Sequence, residues 1–302
     1  MKKYIFLLSL GLISNLSYAQ YSKEKQAEYI KTLASDEMEG RGFGTEGGKK
    51  AANYIANHFK QNNLKPCVGD SFLIEFEHKG KTGYNVCGIQ EGKTEDIVAF
   101  GGHFDHVGAN GKGEDKIFNG ADDNASGTSV VMALSDYFKN KKPKKTLMYM
   151  AFDAEEVGLI GSGKLVENSD YAKYLPKMEV MYNLEMLGTV SAFGEGKVYM
   201  TGTNRSDLRA QLNNYSPKYF KVSEDPYLKQ NLFMRSDNVH FFKKGVVSHA
   251  LSTVNMENQN HYHQPNDEFS VIDVNNISTI TKGLGETVNK MMKKNIKPTY
   301  NK

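Results

Sequence analysis

Three clusters of histidine and carboxylate side chains lie close behind short apolar runs in the middle of the chain. They read GGHFDHVG from Gly101, NGADDNASG from Asn119 and FDAEEVGLIGS from Phe152. Histidine nitrogens and carboxylate oxygens are the protein ligands that bind divalent ions such as zinc. A chain that only needs to fold has no reason to collect these groups at strand ends. The pattern therefore predicts a metal centre.

The residue pairs in these clusters suggest separate roles. Glu155 and Glu156 follow a buried run directly, so one can bind a metal ion while the other accepts a proton from water. His103 and Asp105 are two residues apart, and in an extended backbone their side chains point the same way. One of them can then bind a metal ion while the other forms a hydrogen bond behind it.

A shared carboxylate would allow two ions to bind. Asp122 lies in a Gly-flanked turn and can give one oxygen to each ion, although aspartates in turns more commonly cap backbone N–H groups. Glu185 follows the next buried run, and His263 lies in the polar turn HYHQPND. With about three protein ligands for each ion, His103, Asp122 and Glu185 would bind one ion. Asp122, Glu156 and His263 would bind the other.

The elements that must position these groups alternate between strands and helices. Residues 97–100, 146–152 and 180–184 are apolar without alternation, which is typical of strands buried on both faces. Helical patterns lie between and after them, at 126–138, 161–166, 207–215 and 273–292. We therefore predict an α/β fold with a mixed, mostly parallel sheet that is flanked by helices on both faces. Ligands in such sheets bind beyond the carboxyl ends of the strands.

The first 19 residues have the features of a secretory signal peptide. Two lysines precede a short apolar run, which ends in Ser17-Tyr18-Ala19, and cleavage is expected between Ala19 and Gln20. The alternative is an uncleaved membrane anchor. With cleavage, residues 20–302 form one secreted or periplasmic domain that is not membrane-bound. Removing two lysines lowers the net charge from +3 to +1, which gives no argument for nucleic acid as a partner.

Cys67 and Cys87 are the only two cysteines of the chain. In an oxidising compartment such a pair is a candidate disulfide. Two free thiols are the alternative at this stage, because the sequence does not show how close the two residues come.

Four of these motifs together resemble the M28 family of zinc metallopeptidases, most of which are aminopeptidases. They are HFDHVG, GADDNASG, AEEVGLIGS and HQPND, in that order along the chain. The resemblance extends upstream to Glu39-Gly40-Arg41 and Gly44-Thr45, and downstream to Arg235-Ser236-Asp237-Asn238. It therefore covers nearly all of the chain after the predicted signal peptide.

The resemblance implies a zinc exopeptidase fold, two zinc ions per chain and peptides as substrates. It assigns a metal-binding role to five residues: His103 and Glu185 on the first zinc, Asp122 on both, Glu156 and His263 on the second. His263 is chosen over His261 because the family motif is His-x-Pro-x-Asp. Glu155 would be the general base, Asp105 would orient His103, and Asp123 would lie at the peptide bond that follows the bridging aspartate.

The chain also departs from the family pattern. Glu185 stands where the family usually has Asp, and Phe233 stands where some members have a Tyr that stabilises the oxyanion. Arg235 and Tyr227 are two candidates for that role. Two other functions stay open: a glutaminyl cyclase-like acyltransferase with one zinc, and a non-catalytic binding module on the same fold.

Overall fold

The computed structural model describes residues 21–109 and 112–301. The predicted signal peptide lies outside the described residues. Within them, nine strands form one sheet. The strands are β1 (Lys65–Pro66), β2 (Leu73–His78), β3 (Lys81–Gln90), β4 (Thr94–His103), β5 (Lys145–Phe152), β6 (Met178–Leu184), β7 (Lys197–Met200), β8 (Lys221–Ser223) and β9 (Val247–Ser252).

Eight α-helices accompany the sheet in the same described residues. They are α1 (Lys23–Leu33), α2 (Glu46–Gln61), α3 (Gly127–Phe138), α4 (Ile160–Glu167), α5 (Ser169–Ala172), α6 (Leu208–Tyr215), α7 (Asn238–Lys243) and α8 (Val274–Lys294). Side chains of Ser22, Thr45 and Asp273 cap the first turns of α1, α2 and α8 by accepting backbone N–H groups. No helix in this part of the chain has the length and apolar character needed to cross a membrane.

The centre of the sheet is parallel. The strand order is β1-β3-β5-β4-β6-β9-β7-β8, with β2 paired to β3. Strands β5, β4, β6 and β9 run parallel to one another, and antiparallel pairing begins outside them, at β3 and β7. The predicted fold class, a mixed and mostly parallel sheet, is confirmed.

Both faces of the sheet are covered. Along β5, Leu147, Tyr149 and Ala151 pack into a large core beneath α1, α2, α3 and α8. Met148, Met150 and Phe152 pack on the opposite face, with residues of α4 and α7. Successive side chains of a strand point to opposite faces, so a strand covered on both sides must be apolar throughout. This explains the apolar runs without alternation.

The two cysteines form a disulfide that joins the start of the sheet. Cys67, just after β1, is bonded to Cys87 of β3, and their Cα atoms are 5.5 Å apart. Both side chains are buried. Of the two alternatives that the sequence left open, the structure shows the disulfide.

Candidate metal centre

One group of converging ligand atoms lies at the carboxyl end of β4. His103 is the last residue of that strand, and its Nε2 lies 3.0 Å from Glu185 Oε1 and 3.4 Å from Asp123 Oδ1. Two ligand atoms on one tetrahedral zinc ion, each bound at about 2.0–2.1 Å, are about 3.3 Å apart. The three side chains therefore already have the spacing of ligands to one ion.

A second group lies beside the first. His263 Nε2 is 3.2 Å from Asp123 Oδ2 and 3.0 Å from Glu156 Oε2. Asp123 thus faces His103 with one oxygen and His263 with the other. Two neighbouring ions that share one carboxylate would fit this arrangement.

The prediction that Asp122 bridges the two ions is wrong. Its carboxylate is fully buried and turned away from both groups. Oδ1 accepts the N–H of Gly188 at 2.8 Å, and Oδ2 lies 3.0 Å from His261 Nε2. Asp123, which was expected to follow the bridging residue, is the aspartate whose two oxygens face the two ligand groups.

The local backbone explains why two adjacent aspartates point in different directions. They lie in a π-helical turn, Ala121–Ser126, and the peptide bond between Asp123 and Asn124 is cis. Asp267, the last residue of the HQPND motif, accepts the N–H groups of Asp122 and Asp123 at 2.8 and 3.0 Å. This contact ties the turn to the loop that carries His263. The role of Asp267 was missed, although the motif that contains it was recognised.

The extra methylene of Glu185 is accommodated by two hydrogen bonds behind it. The Ser236 hydroxyl donates to Glu185 Oε2 at 2.6 Å, and Asn183 Nδ2 lies 3.2 Å from the same oxygen. Oε1 is left facing His103. Glu185 therefore offers one oxygen, Oε1, to an ion. An Asp with one free oxygen would offer the same.

Asp105 holds the two glutamates in place. Its carboxylate accepts the N–H of Glu155 at 3.0 Å and the N–H of Glu156 at 3.2 Å. His103 Nδ1 is 3.1 Å from the backbone carbonyl of Asp105 and 3.6 Å from the nearer carboxylate oxygen. Asp105 thus lies behind His103 as expected, but the closer partner of His103 is the backbone carbonyl of Asp105. The Asp105 side chain instead accepts the two N–H groups that follow β5.

A buried arginine forms hydrogen bonds to the backbone of the segments that carry the ligands. Arg41 is fully buried, and its guanidinium donates to the carbonyls of Phe104, Leu33, Asn119 and Gly120 at 2.5–2.8 Å. These bonds join the strand end after His103 to the turn that contains Asp123. They also place a permanent positive charge behind a cluster of carboxylates.

Glu155 has the environment of a general base. It is half-buried and lines the cavity next to both groups. Burial raises the pKa of its carboxyl well above the ordinary value, with Glu185 and Asp237 adding to the rise and His103 opposing it. A carboxyl with a raised pKa accepts protons readily near neutral pH.

The histidines are held as cations when no ion is bound. Burial alone would lower the pKa of His263, but its contacts with Asp123 and Glu156 raise it to about 10. Burial would likewise lower the pKa of His103, but the nearby charge of Glu185 favours the protonated form, and the pKa lies well above its ordinary value. Metal binding must therefore displace these protons.

The two candidate oxyanion residues lie in different places. Arg235 lines the open cavity in front of the metal groups. Tyr227 does not line it, because its hydroxyl donates to Asn255 at 3.0 Å and its ring packs against Tyr199. Tyr262, which the sequence reasoning did not select, lines the cavity and stacks on His263 with ring centroids 3.9 Å apart.

The model of peptidase family M28 matches residues 85–288. The chain belongs to this family. Among curated relatives, leucine aminopeptidase 2 of Arthroderma otae is 27% identical over 219 residues, which are 70% of this chain and 40% of that protein. The chain spans less than half the length of the curated relatives it matches first.

Solved structures of M28-like fold superpose on most of the chain. BSAP, a zinc aminopeptidase from Bacillus subtilis, has a TM-score of 0.70 at 18% identity, with 92% of this chain and 97% of that one covered. The glutaminyl cyclase of Tannerella forsythia has a TM-score of 0.69 at 18% identity, with 91% and 99% covered. Both likenesses concern the fold, which therefore does not separate a peptidase from a cyclase.

Proposed function

We propose that this M28 protein is a zinc aminopeptidase that binds two ions per chain. The observation that carries the proposal is the position of Asp123, with one oxygen in each of two ligand groups. His103 and Glu185 complete one group, and Glu156 and His263 complete the other. The names of M28 relatives, which include leucine aminopeptidases, support the activity.

Two bound zinc ions would lower the pKa of a water molecule and polarise the carbonyl of the scissile peptide bond. Glu155 accepts the proton of that water as the water attacks the carbonyl carbon. It then passes the proton to the nitrogen of the leaving amine. Glu155 is suited to both steps because it lines the cavity beside both ligand groups, where one carboxyl can take up and release the proton.

We assign stabilisation of the oxyanion to Tyr262 and Arg235, two polar side chains of the cavity that can donate hydrogen bonds. Both line the cavity, and the hydroxyl of Tyr262 forms no hydrogen bond among residues 21–109 and 112–301. Phe233, at the position where some relatives have Tyr, cannot donate. One lost donor of this kind costs on the order of 10²–10³ in rate, so Tyr262→Phe should lower kcat by about that factor and leave metal content unchanged.

The cavity favours a large apolar N-terminal residue. The apolar part of its wall is formed by Met186, Leu232, Val254, Met256 and the ring of Tyr262. Unbranched methionine side chains adapt to substrates of different shape. We therefore propose peptides with Leu, Met or Phe at the N-terminus as substrates.

The decisive experiment measures metal content and product formation on the same preparation. The protein, expressed as residues 20–302, should contain about two zinc ions per chain and release the N-terminal residue of Leu-peptides but not of N-acetylated ones. Glu155→Gln should lower turnover by about 10²–10⁴ and keep its zinc. Glu91→Gln is a matched control, because Glu91 is exposed and, within residues 21–109 and 112–301, has Lys65 as its one ion-pair partner. Wild-type turnover in Glu155→Gln would remove Glu155 from the proposed role.

The two rival functions predict different products. One zinc per chain with conversion of N-terminal Gln to pyroglutamate would establish the cyclase. Zinc binding with neither product would establish a binding module. The chain has two complete ligand groups, and the group of His103, Asp123 and Glu185 beside that of Glu156 and His263 favours the two-metal enzyme over the one-zinc cyclase.

We further propose that the protein acts outside the cytoplasm. The signal-peptide pattern of residues 1–19 supports export, and the Cys67–Cys87 disulfide is typical of an oxidising compartment. Cell fractionation of a tagged full-length chain, with N-terminal sequencing of the mature form, tests this; a cytoplasmic protein that begins at Met1 would contradict it.

A further inference from the structure

His106 is a buried histidine beside the second ligand group, and neither the sequence reasoning nor the proposed mechanism uses it. Its side chain is 1% exposed. Nδ1 lies 2.9 Å from Glu156 Oε1 and 3.8 Å from Asp123 Oδ2, and the ring lies edge-on to His263. By distance alone, His106 could be either a fourth ligand of this group or a hydrogen-bond donor to Glu156.

The ring is fixed by its surroundings. Gly120 packs against it so closely that a Cβ at that position would lie 2.6 Å from two ring carbons. The backbone N–H of His106 donates to the carbonyl of Arg41 at 3.3 Å. The ring therefore has little freedom to turn, and the direction of each nitrogen is set by the fold.

The other ring nitrogen decides between the two roles. Nε2 of His106 is buried and has no hydrogen-bond partner in the part of the chain that the structure describes. A neutral imidazole carries its hydrogen on one nitrogen only. As a metal ligand through Nδ1, His106 would carry that hydrogen on Nε2, where it would be a buried donor without an acceptor. Buried N–H groups without acceptors are rare and destabilising.

We propose that His106 is a positioning residue that donates its Nδ1–H to Glu156 Oε1 and is not itself a metal ligand. His263 Nε2 lies close to both oxygens of Glu156, at 3.2 Å from Oε1 and 3.0 Å from Oε2. The bond from His106 occupies Oε1 and leaves Oε2, the nearer of the two, to face the ion. This role rests on the proposed metal centre. It makes Glu156 the counterpart of Glu185, whose second oxygen is likewise held by neighbouring donors.

Three variants distinguish a role of His106 as a hydrogen-bond donor from a role of its ring in packing and from a role as a metal ligand. His106→Asn keeps a nitrogen donor at the position of Nδ1 and removes the ring. His106→Phe keeps a ring and removes the donor, and His106→Ala removes both. The measurement is zinc affinity of the metal-free protein, by competition with a chromophoric chelator, together with zinc per chain. Loss of a hydrogen bond to a metal ligand typically weakens metal binding 10- to 100-fold.

The expected result is a loss of that size in His106→Phe and His106→Ala, with His106→Asn within a few-fold of the wild type. Equal weakening in all three variants would show a ligand and overturn the proposal. Weak binding in His106→Asn with normal binding in His106→Phe would show that the ring acts by packing, and would also overturn the proposal. Normal binding in all three variants would overturn it as well. If His106→Phe does not fold, the comparison of His106→Asn with His106→Ala decides alone. A wild-type protein that binds zinc without hydrolysing peptides would refute the proposed activity and leave this comparison valid.

Discussion

Replacing each of the two adjacent aspartates by asparagine tests the central geometric finding. Asn has nearly the shape of Asp, but it carries one carbonyl oxygen and an NH₂ group that cannot bind a cation. Asp123→Asn therefore removes one of the two oxygens that face the metal groups. At least one of two ions should lose a ligand.

The size of the effect follows from the number of ligands. Zinc held by four protein ligands binds with roughly 10–16 kcal/mol, so one ligand contributes about 3 kcal/mol. That is a loss of at least about 100-fold in affinity at one site. Asp122→Asn keeps an acceptor for the Gly188 N–H and loses the charged contact with His261. A hydrogen bond to a charged group contributes about 1.5–3 kcal/mol, and this loss should appear in stability rather than in metal content.

The assay is zinc per chain after gel filtration, with urea unfolding of the metal-free proteins in parallel. We expect about two ions in the wild type and in Asp122→Asn, and one or none in Asp123→Asn. Asp122→Asn should have a free energy of unfolding about 2 kcal/mol below that of the wild type. Loss of zinc in Asp122→Asn with full occupancy in Asp123→Asn would refute the assignment of the bridging residue.

Four further results are expected. His263→Ala should lose zinc at one site and His261→Ala should keep both ions, as measured by zinc per chain. The raised pKa of His263, about 10 against an ordinary 6.5, implies ion pairs that contribute fully below pH 6.5 and are lost as the pH rises to 10. The metal-free protein should therefore melt at lower temperature as the pH rises through that window, more so than His263→Gln, while zinc affinity rises because binding releases the proton. Arg41→Met should lower the free energy of unfolding by about 3 kcal/mol or more, because it leaves four buried carbonyls without a hydrogen-bond donor. Arg41→Lys should recover part of this lost stability. Replacing Cys67 and Cys87 by Ser should cost about 3 kcal/mol in urea unfolding without loss of zinc.

The sequence predicted the sheet and the edge at which the site lies. Strands such as 146–152 are apolar on both faces, which is typical of parallel strands that are covered by helices on both sides. His103 is the last residue of such a strand, and Glu155 and Glu185 lie within three residues of the ends of two others. Their meeting at one edge is a consequence of parallel strand direction, which the order of the elements already implies.

The choice between Asp122 and Asp123 could not be made from the same information. It depends on a π-helical turn and on the N–H groups that Asp267 accepts from a loop more than 140 residues away. Both aspartates have equal chemistry, and each has its own partner: His261 for one, His263 for the other. Nothing in residue type or spacing distinguishes the two pairings.

The groups that the sequence did not identify share a physical reason for being missed. His106 and Arg41 act through hydrogen bonds to the ligand segments, and such contacts leave no periodicity or spacing along the chain. A cluster with this many carboxylates nevertheless needs such contacts to be stable in the folded protein. Without an ion, Asp123 and Glu156 would repel each other, and His103, His263 and the buried guanidinium supply the opposing charge. The metal-free chain can then fold with its ligands already near their bound positions, and zinc replaces protons rather than assembling the site.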